Sequence, residues 1–142
     1  MRGRGLAALA CAMCVASAHA DVEFHELELD EERTLRYAVL LPDRFDEQLT
    51  YPALLALPPG RQDERMVMAG FNRYWGEQAA EAGWVVISPI APDGVLFFEG
   101  SEDVIPALLD EVESVVHVEH GRFHLAGASN GGRSAFRVAT LY

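Results

Sequence analysis

The most informative part of this sequence is Phe123-His124-Leu125-Ala126-Gly127-Ala128-Ser129-Asn130-Gly131-Gly132. It begins as a short strand, Arg122 to Ala126, and runs through small residues directly into a helical segment, Asn130 to Tyr142. A Gly-x-Ser-x-Gly sequence between a strand and a helix is typical of a nucleophile elbow, a sharp turn with serine at its apex. The pattern therefore predicts that the Ser129 hydroxyl projects from the end of a strand.

The residue types in this turn fit acyl-transfer chemistry. Side chains at Gly127 and Gly131 would collide across so tight a turn, which is why glycine is expected there. The first N–H groups of a helix are unpaired, so the N–H of Asn130 is a candidate to stabilise an oxyanion formed at Ser129. A phosphate-binding loop is a poorer interpretation, because Gly-x-x-x-x-Gly-Lys is absent and the chain contains no lysine.

The rest of the chain alternates predicted strands and helices. Alternating polar and apolar residues predict a leading antiparallel hairpin, and continuous apolar runs predict buried strands of a parallel sheet. Gly83 is placed to end the first helix, and Ser101-Glu102-Asp103 is expected to cap the second, whose apolar face would run from Ile105 to Val116 and include Val115. The predicted strands are Val22–Leu29, Thr34–Leu41, Tyr51–Leu57 and Trp84–Ile90, and the predicted first helix is Phe71–Ala82.

This order predicts an α/β fold with a leading antiparallel hairpin and a mostly parallel sheet covered on both faces. A chain of 142 residues with 50% hydrophobic composition can bury one core. We therefore expect one domain from residue 21 onwards. The loop Ala91 to Gly100 carries Phe97 and Phe98, which either line a cleft or pack in the core.

The first twenty residues differ from the rest and predict a secretory signal peptide. Arg2 and Arg4 precede a short apolar run, Leu6 to Ala16, and Ala18-His19-Ala20 is a small-x-small ending, so we expect cleavage after Ala20. The run is too short for a membrane anchor, which needs about 20 residues. The surroundings of Cys11 and Cys14 match a lipidation site poorly. The expected location is secreted or periplasmic.

Removing this segment would leave an acidic chain without cysteine. Of 11 basic side chains, nine remain against 22 acidic ones, a formal charge of −13. Such a surface repels nucleic acids and anionic membranes. No disulfide is possible in the mature chain, and no His, Cys and carboxylate set has the spacing of a metal site. We expect no cofactor and no membrane span, and the oligomeric state is left open.

From Val22 to Tyr142 the chain resembles secreted esterases of the α/β-hydrolase fold, especially the polyhydroxybutyrate-depolymerase and feruloyl-esterase-like branch and the phospholipase/carboxylesterase group. The matching residues are those from 54 to 62, 84 to 89 and 125 to 132. The resemblance implies a second oxyanion N–H in the loop after the first parallel strand, often within His-Gly-x. Pro59 stands there and has no N–H. The donor is then expected at Arg61, with Gly60 and Gln62 in substrate binding, unless Pro58-Pro59-Gly60 is a plain strand-ending turn.

The same resemblance implies that an acidic residue and then a histidine follow the nucleophile. Thirteen residues follow Ser129, and none is Asp, Glu or His. His25, His117, His120 and His124 are expected to be surface or packed histidines. The chain is therefore interpreted as the N-terminal part of a hydrolase domain, truncated after the nucleophile helix, inactive by itself, and with its last strand left as an open sheet edge.

The resulting expectation is a serine esterase that acts through an acyl-enzyme on a small-molecule or polymeric ester. One alternative is a pseudoenzyme or binding module in which the elbow persists as architecture. Another is a peptidase or thioesterase of the same fold, because loops and pockets choose the leaving group.

Overall fold

The computed structural model describes residues 21–142, and the predicted signal peptide lies outside them. Five strands form one sheet in the order β1-β2-β4-β3-β5. β3 lies between β4 and β5, so the apolar run that ends at Leu57 is an interior strand, as predicted. The strands are β1 (Val22–Glu28), β2 (Thr34–Leu40), β3 (Thr50–Leu57), β4 (Val85–Pro89) and β5 (His117–Gly127).

The sheet combines the predicted hairpin with a parallel core. β1 and β2 pair antiparallel, and β3 pairs parallel with both β4 and β5. β2 also pairs antiparallel with β4, so the hairpin is joined edge-on to the parallel strands and the sheet is mixed rather than mostly parallel. The predicted α/β class and leading hairpin are confirmed.

Helices connect the parallel strands and cover both faces of the sheet. A π-helical turn, Phe71–Trp75, joins the first two helices, and a 3₁₀ turn, Ser101–Val104, leads into the third. Within residues 21–142 no helix is both long enough and apolar enough to cross a bilayer. The helices are α1 (Glu64–Gly70), α2 (Gly76–Glu81), α3 (Ile105–Val115) and α4 (Asn130–Leu141).

Two helix starts differ from the sequence prediction. The first helical segment begins at Glu64, seven residues earlier than expected, because the Asp63 side chain accepts a hydrogen bond of 3.0 Å from the Met66 N–H and caps α1. It ends as predicted at Gly83, which has a φ of 80°. Ser101 makes no side-chain cap; it is buried, and Gly100 precedes the 3₁₀ turn instead.

The two faces of the sheet carry separate apolar clusters. Leu55 and Leu57 point to one face, with Ile105 and Leu108 of α3. Ala56 points to the opposite face, where it lies in a cluster with residues of α1, the π-helical turn and α2. The predicted apolar face of α3 is wrong at Val115, the last residue of the helix, whose side chain is 66% exposed although Val116 next to it is buried in the cluster.

The strand before the elbow is longer than predicted and interrupted. β5 starts at His117, and both His120 and Gly121 have positive φ. Opposite β3, the pairing jumps from Tyr51↔Val118 to Ala53↔Phe123, so a small excursion separates two paired halves of β5. The second half runs in register to Leu57↔Gly127 and delivers the chain to the elbow. β5 is an edge strand of the described sheet.

Candidate active site

Ser129 lies at the apex of the turn between β5 and α4. Its φ of 54° and ψ of −119° are values that a residue with a side chain rarely adopts, at a cost of order 1–3 kcal/mol. Serine is a favoured helix cap, yet the Ser129 side chain makes no capping hydrogen bond, and the residue is exposed. The hydroxyl is therefore presented to solvent instead of being used to hold the helix.

The glycines of the elbow are required by close backbone contacts. A Cβ at Gly127 would overlap the carbonyl oxygen of Gly131, and a Cβ at Gly131 would overlap the carbonyl oxygen of Leu57. Gly132 is less constrained, because its nearest contact would be the Gly127 carbonyl oxygen at 3.3 Å. The elbow thus packs backbone against backbone, both across its own turn and onto the end of β3.

The first turn of α4 leaves one N–H beside the serine. The N–H groups of Gly131 and Gly132 donate to the carbonyls of Ala128 and Ser129, each at 2.9 Å, and Arg133 N–H donates to Ser129 O at 3.2 Å. Among residues 21–142, the Asn130 N–H donates to no protein acceptor. This N–H is the donor next to the nucleophile in the sequence. The positive end of the helix dipole would add to its stabilisation of an oxyanion.

The loop after β3 lies against this helix start. The Asn130 side chain donates a hydrogen bond of 2.9 Å to the carbonyl oxygen of Gly60. Gly60 has a φ of 60°, and a Cβ there would lie 2.8 Å from the Met66 sulfur. The next residue, Arg61, has an N–H that donates to no acceptor within the described part of the chain. The two predicted oxyanion donors, Arg61 and Asn130, therefore belong to segments joined by a direct hydrogen bond.

Gln62 occupies a different position from the one expected of a substrate-binding side chain. It is fully buried, and both ends of its amide are bonded within the protein. Its side chain holds the loop in place, whereas the neighbouring Gly60 and Arg61 line an open cleft. The sequence could not show this, because two of the three partners of the amide, Ser134 and Phe97, are distant along the chain.

The cleft beside the elbow has a volume of about 780 Å³. The loop of residues 91–100 forms much of its wall, and Phe97 of that loop is fully buried in the core. Phe97 therefore packs in the core, whereas other residues of the same loop line the cleft. The cleft is lined by Gly60, Arg61, Asp63, Ala91, Gly94, Leu96, Glu99 and Asn130.

Two arginines of α4 anchor the helix to the same region. Arg137 pairs with the buried Glu102 through Nη2 at 2.8 Å and Nε at 2.9 Å. Backbone N–H groups at Glu102 and Gly100, together with Arg137, hold the pKa of the Glu102 carboxyl below its usual range against the effect of burial. Arg133 lies over the Phe98 ring, 3.9 Å from its centroid. The nucleophile helix and the cleft wall are thus tied together.

None of the histidines in the described region is bonded to Ser129. His124 packs against Trp84 in a tilted arrangement with ring centroids 4.7 Å apart, and His25 stacks on Tyr37 at 5.5 Å. His117 and His120 lie within β5, and the positive φ of His120 marks the excursion there. Across residues 21–142 no cluster of three or more His, Cys, Asp or Glu side chains is arranged to hold a metal ion.

Comparison with known proteins identifies the fold. No protein-family model and no curated protein sequence matches the chain. Among solved structures, an S-formylglutathione hydrolase from Agrobacterium tumefaciens superposes with a TM-score of 0.70 at 16% identity, over 85% of this chain and 53% of that one. Fluorophosphonate-binding serine hydrolase F of Staphylococcus aureus gives 0.59 at 22% identity, over 80% and 49%. Dipeptidyl peptidase 4 of Porphyromonas gingivalis gives 0.63 at 20% identity, over 84% and 19%.

These similarities establish that the described residues have the α/β-hydrolase fold. The chain spans about half the length of the Agrobacterium and Staphylococcus enzymes. Sequence identities of 16% to 22% show a shared architecture and do not indicate which substrate this chain acts on. What the chain does must be argued from Ser129 and the groups around it.

Proposed function

We propose that the full-length protein is a serine hydrolase that cleaves carboxylic esters through an acyl-enzyme on Ser129. The observation that carries the proposal is the conformation of Ser129, which is strained, exposed and free of a capping bond at the start of α4. Strained backbone conformations cluster at active sites and switch regions, where the strain is part of the mechanism. The esterase and serine-hydrolase folds among the structural neighbours support the same chemistry.

The reaction would begin with attack of the Ser129 hydroxyl oxygen on the ester carbonyl carbon. The carbonyl oxygen then carries negative charge, which the N–H groups of Arg61 and Asn130 would stabilise. Collapse of this intermediate breaks the bond to the alcohol, which leaves with a proton, and the acyl group stays on Ser129. Water then hydrolyses the acyl-enzyme and restores the serine.

The proton transfers need a base, which we assign to a histidine oriented by an acidic residue, both outside the described part of the chain. The histidines of the described region are placed elsewhere, so we expect residues 21–142 alone to give no turnover. We further propose that the basic start at Arg2 and Arg4 and the apolar run after it direct the protein to the periplasm or the medium.

Peptide hydrolysis is the second candidate, because the likeness to a dipeptidyl peptidase is of the same quality as that to the esterases. The two activities share the elbow and differ in the leaving group. Comparing hydrolysis of p-nitrophenyl acetate with that of a peptidyl p-nitroanilide separates them, and preference for the anilide would overturn the ester assignment. A stop codon directly after Tyr142 in the gene would favour the pseudoenzyme over both.

Active-site labelling tests the proposal directly. The full-length protein should be labelled by a fluorophosphonate, with the adduct mapped by mass spectrometry to Ser129. The variant Ser129→Ala removes the nucleophile and should not be labelled. Its ester turnover should fall at least about 10⁴-fold. Unlabelled wild-type protein, or a label on another residue, would contradict the proposal.

A further inference from the structure

Gln62, directly after the predicted donor Arg61, is the most extensively bonded side chain near the elbow. We propose that Gln62 is a positioning residue, whose buried amide fixes the loop from Pro58 to Gln62 so that the Arg61 N–H faces the oxyanion formed at Ser129. The inference rests on the proposed function, because it assigns Gln62 a role in the same reaction.

The side-chain amide of Gln62 connects three separate segments. Its Nε2 donates to the carbonyl oxygen of Pro58 at 3.0 Å and to the hydroxyl oxygen of Ser134 at 2.9 Å. Its Oε1 accepts a hydrogen bond of 2.9 Å from the Phe97 N–H. Gln62 and Ser134 are both fully buried, so these bonds form where water cannot replace them.

The backbone of Gln62 closes the same loop. Its N–H donates to the carbonyl oxygen of Pro59 at 3.0 Å, and its carbonyl accepts from the Ala91 N–H at 2.8 Å. Its φ is 57°, a left-handed value that costs a residue with a side chain of order 1 kcal/mol or more. The surrounding bonds hold Gln62 in this conformation. Arg61 lies between Gln62 and Pro59, whose carbonyl accepts the Gln62 N–H, so this bond also restrains the backbone of Arg61.

These contacts relate the two predicted donors to each other. Ser134 belongs to α4, the helix that begins at Asn130, so the bond from Gln62 to Ser134 ties the Arg61 loop to the helix that carries the second donor. The bond from Asn130 to Gly60 joins the same two segments in a partly buried position. With the buried bond to Ser134 lost, the loop would be joined to α4 only through Asn130, and the Arg61 N–H would be misplaced.

The test is the variant Gln62→Met in the full-length protein, which keeps the side-chain length and removes every amide hydrogen bond. With p-nitrophenyl acetate we expect kcat to fall about 100-fold, the loss known for a displaced or missing oxyanion donor, with KM within about 3-fold of wild type. The rate of fluorophosphonate labelling at Ser129 should fall in parallel. A role in stability alone would lower the melting temperature and leave kcat near that of wild type.

Ser88→Ala is the matched control. Ser88 is also fully buried, and its hydroxyl donates to the Ala56 carbonyl at 2.7 Å within the sheet, so the variant loses a buried hydrogen bond without touching the Arg61 loop. Its kcat should stay within about 2-fold of wild type. If Gln62→Met fails to fold, Ser134→Ala removes one partner of the amide and should lower kcat about 10-fold.

The outcomes separate the two proposals. A wild-type protein that shows Ser129-dependent turnover, with Gln62→Met or Ser134→Ala no slower than Ser88→Ala, overturns the positioning role and leaves the serine hydrolase intact. A wild-type protein without Ser129-dependent turnover or labelling overturns both. A kcat loss confined to the Gln62 and Ser134 variants supports the positioning role.

Discussion

The two segments that face each other across the candidate site are held in different ways. The elbow, residues 127–132, is fixed by backbone packing, since a side chain at Gly127 or Gly131 would overlap a carbonyl oxygen. The loop of residues 58–62 is fixed by hydrogen bonds to Ser134, Ala91 and Phe97, which lie far away in sequence. The conformation of the elbow is therefore fixed by steric contacts within and next to it, whereas the conformation of the loop depends on hydrogen bonds to distant residues.

This difference shows which structural features can be predicted from a sequence motif and which cannot. A glycine requirement is visible in the sequence itself, because no other residue fits. A buried amide such as Gln62 looks like any polar loop residue until its partners are known. Replacements of Gly127 or Gly131 should therefore damage the fold, and replacements at the junction of the two segments should damage the chemistry first.

The largest effect is expected for Gly131→Ala in the full-length protein. The added methyl group would overlap the Leu57 carbonyl oxygen, and backbone cannot move aside as a flexible side chain does. We expect the free energy of unfolding to fall by about 3 kcal/mol or more, measured by denaturant titration.

The neighbouring variant Gly132→Ala is the control for that experiment. Its Cβ would meet the Gly127 carbonyl oxygen at 3.3 Å, which needs a shift of only a few tenths of an ångström, and alanine favours the helix by about 1 kcal/mol. Its stability should lie within about 1 kcal/mol of wild type. Equal losses in the two variants would show that the steric account of the elbow is wrong.

A smaller effect is expected for Asn130→Ala, which breaks the bond between the two segments and leaves the backbone donor of residue 130 in place. The lost bond to the Gly60 carbonyl is worth about 1 kcal/mol, so kcat for p-nitrophenyl acetate should fall about 5-fold with KM little changed. Asn130→Asp should be slower still, because its charge opposes the oxyanion, although an acidic residue at a helix start favours folding. An Asp variant as active as wild type would contradict this placement of the side chain.

Much of the architecture could be predicted from residue patterns. Alternation in β1, the apolar runs of β3 and β4, and Gly83 at a helix end each reflect a local rule, and the structure agrees with them. The missed features depend on context. The cap at Asp63 lies in a loop of polar residues and is recognised only by its bond to the Met66 N–H, and the excursion at His120 is set by pairing with β3.

The same distinction between local and context-dependent features applies to the candidate site. The strand, turn and helix around Ser129 follow from the motif, and the structure shows them. The predicted use of Gln62 in substrate contact does not agree with its full burial, because only the folded chain brings Ser134 and Phe97 to its amide. The roles assigned to Arg61 and Asn130 stay predictions.

The placement of Ser129 between two backbone donors can be tested with a crystal structure of the full-length protein after reaction with a fluorophosphonate. We expect phosphorus bonded to the Ser129 hydroxyl oxygen and one phosphonyl oxygen within about 2.7–3.1 Å of both the Arg61 and Asn130 backbone nitrogens. An unmodified Ser129, or a phosphonyl oxygen that contacts neither nitrogen, would contradict it.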